Sequence, residues 1–238
     1  MALTKVIGSG VGELTNKVGL GLSSPAAALH VQTSTDGTGL SGDDIYVARF
    51  HNQEATSDRS FGVDIQAGSS TTDQALRIKD HDGTNTLMIV DGLGHVTKPL
   101  QPAFHVQPTS LQSNIALNSN VTVVFDTETY DVGSNFASNT FTAPVTGKYL
   151  LCFSLYLQAI DTAANYYEAS INSSNRDYFP ATIDPDFADA DFNYFSLTGS
   201  SIVDMDANDT AKIILRQSLG TAQSDINTPS FFSGALIC

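Results

Sequence analysis

Positive charge is scarce in this chain: 11 Lys and Arg stand against 25 Asp and Glu, a net charge of −14. Such a surface repels phosphate backbones and anionic lipid, which excludes nucleic acid and membrane as partners. Tryptophan is absent, and the two cysteines, Cys152 and Cys238, are too few for a disulfide-built scaffold. No apolar run approaches the ~18 residues of a membrane helix, so no membrane insertion is expected. The opening MALTKVIGSGVGEL lacks the apolar stretch of a secretory leader, so synthesis in the cytosol without such export is expected. Helical periodicity is nearly missing as well, and the best short candidate is Ser24–Leu29, SPAAAL.

Enzyme signatures are equally sparse. The histidines, His30, His51, His81, His95 and His105, have no metal-ligand spacing to one another or to cysteine. No HExxH, CxxC, GxSxG or Gly-Lys-Ser/Thr sequence occurs. Cys152 lies within an alternating apolar run, where a buried and unreactive thiol is expected. The protein is therefore read as a non-enzyme. Paired carboxylates for glycan cleavage are the one catalytic arrangement the sequence could offer.

What the chain has is polar β-forming sequence. Apolar residues reach 41%, enough for a core, and Ser, Thr, Asn and Gly supply the polarity. Three regions emerge: a Gly-rich attachment segment over 1–17, a region of short strands and Asp-Gly turns over 18–100, and a longer-stranded domain over 101–238. Asp-Gly at 36–37, 82–83 and 91–92 favours tight hairpins. The clearest pairs Gln74–Lys79 with Thr86–Val90, and a second turn at Asp91–Gly94 leads into His95–Thr97. These strands are too short and polar to close a core alone, so three chains about one axis are expected to complete it. In the last region Tyr149, Leu151, Phe153, Leu155 and Leu157 share one strand face, with Leu150, Cys152, Ser154 and Tyr156 on the other. One apolar and one mixed face predict a strand of a two-sheet sandwich. Val121–Phe125, Ala211–Leu215 and Ser230–Ile237 are similar runs. The acidity is uneven, at −4 over 1–100 and −10 over 101–238.

Two resemblances sharpen this reading. Val18–Val31, VGLGLSSPAAALHV, resembles a module common in phage tail fibres and bacterial adhesins, through Gly19, Gly21, Ser23, Ser24, Pro25, Leu29, His30 and Val31. Leu22 and Ala28 replace its usual Thr and Lys. ALRIKDHDGTNTLMIVDGLGHV also resembles fibre-shaft sequence. Residues 103–238 resemble the complement C1q globular domain, whose fold is a ten-stranded jelly roll shared with tumour necrosis factor ligands. Pro102–Phe104, Tyr130–Leu155 with its Pro144-x-x-Gly147-x-Tyr149 turn, Gly199–Leu215, and the ending Phe232–Ile237 carry that likeness. The resemblance implies an all-β protein: a trimeric β-rich fibre followed by a C1q/TNF-like jelly-roll head. It implies a homotrimer, with one sheet of each subunit lining the axis.

The function expected is a virion structural fibre, a phage tail fibre or receptor-binding protein. Its N-terminal region would join other virion proteins, and its head would touch a host surface glycan or protein. A decoration protein of capsid or tail without receptor role, or a bacterial surface adhesin, are the alternatives. The contact candidates are Tyr166, Tyr167, Asn175, Tyr178, Phe187, Asp189 and Asp191, in aromatic and acidic loop sequence. Loops 161–165, 172–177, 184–191 and 220–228 are expected to form the exposed recognition edge. No cofactor is expected beyond calcium, for which Asp184, Asp186, Asp189 and Asp191, in IDPDFADADF, are the candidate ligands.

Overall fold

A computed structural model describes residues 18–20, 29–31, 50, 57 and 63–238. The expectations for 1–17, for Asp36-Gly37, for residues 24–28 and for His51 lie outside the described residues. The chain divides into two units, Met1–Gln66 and Ala67–Cys238. In the first, β1 (Val18–Leu20) and β2 (Leu29–Val31) form a parallel pair, with Val18 opposite Leu29 and Leu20 opposite Val31.

The second unit begins with a three-stranded antiparallel sheet of β3 (Gln74–Lys79), β4 (Thr86–Asp91) and β5 (Val96–Thr97). The hairpin and second turn fall where the Asp-Gly signals put them. Gly83 and Gly94 adopt positive φ of 74° and 88°, which an L side chain rarely tolerates. Asp80 and Asp91 side chains accept backbone amides across these turns: Asn85 N donates to Asp80, and Leu93 N and His95 N donate to Asp91. Leu76, Ile78, Leu87, Leu93 and Val96 remain exposed. This sheet buries too little apolar surface to be stable by itself.

Residues 103–238 fold as a two-sheet jelly roll. Its strands are β6 (Ala103–Gln107), β7 (Val121–Thr122), β8 (Thr127–Asp131), β9 (Phe136–Ala137), β10 (Thr140–Thr142), β11 (Gly147–Ile160), β12 (Ala164–Ser173), β13 (Asp177–Ile183), β14 (Phe192–Met205), β15 (Thr210–Leu219) and β16 (Asp225–Leu236). Eleven strands replace the expected ten, because two-residue strands such as β7 and β9 count separately. One sheet runs β14-β11-β16-β6-β8; the other runs β13-β12-β15-β10-β9, with β7 also pairing β15. The run expected to be a strand over Val121–Phe125 is shorter, although Val123 N still donates to Ile213 O.

The core lies between the sheets and is built from period-two alternation. Tyr149, Leu151, Phe153, Leu155 and Leu157 are all buried, as the alternation requires. Phe104 stacks on Phe141 at 4.6 Å and meets Phe232 edge-on at 4.9 Å. The Pro-x-x-Gly-x-Tyr turn closes on itself, since the buried Tyr149 hydroxyl donates to Val145 O at 2.8 Å. Gly234 lets β16 pass the core closely: a Cβ there would lie 2.5 Å from Leu151 Cδ2 and 2.7 Å from Phe104 Cε1.

Candidate functional site

Strand directions divide the head into two ends. β6 enters and β16 leaves at one end, where Leu236 N donates to Pro102 O and Lys148 N to Cys238 O. β11 starts at this base with Gly147 opposite Met205 and finishes at the other end with Ile160 opposite Phe192. Connections 161–163 and 220–224 and the 3-10 turn Pro185–Phe187 therefore lie at the far end, the apex. Connection 174–176 follows the end of β12, where Ser173 pairs Ala211 near the start of β15, so it lies at the base. The four expected recognition loops do not form one edge: three gather at the apex and 172–177 sits beside the chain entry.

Buried Asp161 organises the apex. Its Oδ2 accepts the amides of Thr221 and Ala222, and Oδ1 accepts Ala163 N at 2.8 Å. Burial works to raise its pKa, but the amides of Ala222, Ala163 and Thr221 outweigh that and hold the carboxyl below its usual value. Tyr167 belongs to the same network. Its hydroxyl accepts Asp161 N at 2.9 Å and lies 2.7 Å from Ser224 Oγ.

Several contact candidates change role in this frame. Tyr167 is completely buried and cannot meet a partner, which corrects its assignment. The cause is a register shift between Ala164 and Tyr166 in the β12–β15 pairing, which reverses strand parity and turns Tyr167 inward. Tyr166 and Tyr178 are half-buried, and Tyr178 packs on the core. Asn175 is exposed but stands at the base, donating to Asp209 Oδ2 at 2.6 Å. Phe187 is 64% exposed at the apex and joins a ring cluster with Phe192 and Phe195. Asp189 and Asp191 are exposed, and Asp191 Oδ1 accepts the amide and hydroxyl of Thr162, both at 2.8 Å.

Of the calcium candidates, Asp184 caps the 3-10 turn by accepting Asp186 N at 3.0 Å, and Asp186 lies in that first turn. Among the described residues, no three His, Cys, Asp or Glu side chains gather as a metal site.

The mixed strand face expected at Leu150, Cys152, Ser154 and Tyr156 lies on the outside of the five-stranded sheet. One registered row crosses it as Tyr130, His105, Ser233, Cys152 and Ser200; the adjacent outward row is Ala103, Ala235, Leu150 and Ile202. Ile202 is 60% exposed and Leu150 40%. Tyr156 and Tyr194 stack at 5.2 Å nearer the apex. On β6, β11, β14 and β16 the formal charges of this face stand only at its extremes. Lys148 pairs with Asp204 at the base, and Asp225 accepts Asn114 N near the apex. Cys152 lies on this face rather than in the core, and burial pushes its thiol pKa up. Cys152 and Cys238 are both free thiols. The mixed character of Leu150, Cys152, Ser154 and Tyr156 was the available signal, because a solvated face would carry charge.

The C1q domain profile matches residues 103–237. Among solved structures, the chain is similar to the globular domain of a zebrafish complement C1qA protein, at 18% identity and TM-score 0.43, covering 58% of this chain and 98% of that one. It is also similar to murine APRIL, at 14% identity and TM-score 0.42, covering 58% and 99%. A third is the Eiger TNF from S. frugiperda, at 13% identity and TM-score 0.40, covering 58% and 92%. No curated protein matches the chain.

Proposed function

This chain belongs to the C1q domain family, and on that premise we propose that it is a homotrimeric virion fibre protein that attaches to a host surface through its jelly-roll head. Residues 1–17 join other virion proteins, 18–100 form the shaft, and 101–238 form the head. The observation that carries the reading is the outer face of the five-stranded sheet. It exposes Ile202 and Leu150, yet on β6, β11, β14 and β16 it holds formal charge only at its extremes in a chain of net charge −14. A face free of like charge in so acidic a chain suits another copy of itself, and a closed three-fold ring repeats one such contact without leaving a free end. The exposed apolar residues of the β3-β4-β5 sheet support the same need for partner chains.

In this reading the apex is the contact end, because the base is occupied by chain entry and exit. Phe187, Asp189 and Asp191 remain as contact residues there. Binding is non-covalent, and three identical apices on one fibre raise avidity without stronger individual contacts. The ligand is a glycan or protein of the host surface. Carboxylates at the apex, including Asp184, Asp186, Asp189 and Asp191, disfavour strongly anionic glycans.

Two measurements test this. Light scattering of the purified chain at about 1 µM should give the mass of three 25.3 kDa subunits. Antibodies against residues 103–238 should block adsorption of intact particles to host cells. Unimpaired adsorption with antibody bound would replace the receptor role by decoration of the particle, and a single-chain mass would overturn the assembly.

A further inference from the structure

The two Asp-Gly pairs of the β3-β4-β5 sheet share one local geometry. Thr84 N donates to Asp82 Oδ1 at 2.9 Å, and Leu93 N donates to Asp91 Oδ1 at 2.8 Å. A carboxylate bonded to the amide two residues on is folded over the peptide between them, here the nitrogen of Gly83 or of Gly92. That nitrogen can close a five-membered ring on the carboxyl carbon, and glycine has no side chain to obstruct it.

Their surroundings differ. Asp91 Oδ1 also accepts His95 N at 3.0 Å, and Oδ2 lies 2.8 Å from His95 Nδ1. The bond to the His95 ring, against the opposing pull of burial, holds this carboxyl below its usual value, in the ionised form that resists attack. Gly92 N is shared between Ser70 O at 3.1 Å and Asp73 O at 3.2 Å. The Gly92 backbone is walled in: a Cβ there would lie 2.6 Å from Ser69 N and 2.8 Å from Ser70 O. At the other turn, Asp82 is exposed, and among the described residues its carboxylate accepts Thr84 N alone. Gly83 N donates to Asp80 O at 3.1 Å, and a Cβ on Gly83 would meet nothing within 4 Å.

We propose that Asp82-Gly83 is a site of spontaneous isoaspartyl formation, and that the fold protects Asp91-Gly92 from the same reaction. The Gly83 amide nitrogen gives its proton to solvent and attacks Cγ of the Asp82 carboxylic acid. The N–Cγ bond forms, the C–OH bond breaks, and one water leaves a cyclic imide. One water then adds back. Opening at Cγ restores Asp82; opening at the main-chain carbonyl leaves the chain running through the side chain, as isoaspartate. Nothing is oxidised or reduced, and water is the only co-reactant. The product inserts a methylene at the tip of the turn. Gly83 N to Asp80 O and Thr84 N to Asp82 both close across that residue, so both are displaced, next to the Lys79–Thr86 pair of the hairpin. The β3–β4 turn therefore loosens with age.

To cyclise, Asp91 must release His95 N and His95 Nδ1, and Gly92 N must release a second carbonyl, beyond anything the Asp82 turn gives up. Those additional hydrogen bonds, at roughly fivefold in rate for each, make the folded Asp91 turn about a hundredfold slower. The experiment ages the full-length chain for several weeks at about pH 7.4 and about 37 °C, folded and, in parallel, unfolded in urea. Digestion with trypsin and chymotrypsin puts the two turns on separate peptides, and electron-transfer fragmentation distinguishes isoaspartate from aspartate in each. The folded chain should accumulate isoaspartate at Asp82 and about a hundredfold less at Asp91, whereas in urea the two turns should convert within about twofold of one another. Asp82→Glu, whose longer side chain would have to close a six-membered ring, should remove the modification from the first turn. Equal conversion of both turns in the folded chain overturns the proposal. So does conversion of Asp82 in urea alone, or a preference for Asp82 that survives in urea and so owes nothing to folding. Isoaspartate that persists on the first-turn peptide of Asp82→Glu overturns the assignment to Asp82.

Discussion

Replacing Ile202 by Asp should separate the head subunits while leaving each one folded. Ile202 is 60% exposed on the outer face of β14, registered with Leu150 of β11, and touches none of the buried core. Fully burying an Ile is worth about 1.5–3 kcal/mol, so at this exposure about 1–2 kcal/mol remains to be gained by association. An aspartate forfeits that gain and must also be dried without a partner, at a further cost of about 2–3 kcal/mol. The loss is about 4 kcal/mol per subunit and about 12 kcal/mol per trimer, or eight to nine orders of magnitude in the trimer dissociation constant at roughly tenfold per 1.4 kcal/mol. Because three subunits share that constant, the concentration of half-dissociation rises by about its square root, some ten-thousandfold. Within one subunit, an exposed strand position tolerates the change for about 0.5–1 kcal/mol. Light scattering at about 1 µM, circular dichroism and a thermal melt read the three consequences. A variant that keeps both a three-chain mass and the natural melting midpoint would refute the assignment of this face to assembly.

Asp161→Asn should cost about 2–4 kcal/mol in urea unfolding, because an amide offers one acceptor oxygen where the carboxylate receives several backbone donors. The folded pKa of Asp161 is depressed, so its contribution is complete above the unfolded value near 3.9 and is lost as pH falls through the lower folded value. The natural chain should therefore lose stability below about pH 4 more steeply than Asp161→Asn; parallel acid profiles would remove Asp161 from that role. Gly234→Ala should destabilise by about 1–3 kcal/mol, since the added Cβ meets Leu151 and Phe104 inside van der Waals contact. An unchanged urea midpoint would show that β16 can shift without cost.

Much of the architecture was legible because it depends on local pattern. The strict alternation from Tyr149 to Leu157 specifies a strand with one dry face, and Pro144, Gly147 and Tyr149 specify the turn that starts it. Asp-Gly at 82–83 and 91–92 marks the turns of the β3-β4-β5 sheet. Features set by distant pairing were not legible. Which loops share an end of the head depends on β11 running antiparallel to both β14 and β16, and so Asn175 and Phe187, close in sequence, lie at opposite ends. Tyr166 and Tyr167 are adjacent and identical in kind, and only the register shift beside them decides which one turns inward. The alternation already set Cys152 on the mixed face of β11, but only the pairing of β11 with β14 and β16 shows that this face lies outside the core. The acidic run 184–191 is dense in sequence, but its carboxylates are turned to local amides and solvent rather than to one point.

The neighbouring placement of Pro102 and Leu236 has a practical and evolutionary consequence. A domain whose incoming and outgoing strands lie side by side behaves as a cassette, exchangeable at one seam without redirecting what precedes it. A reporter fused after Cys238 will therefore emerge beside Pro102, at the end of the domain opposite Phe187.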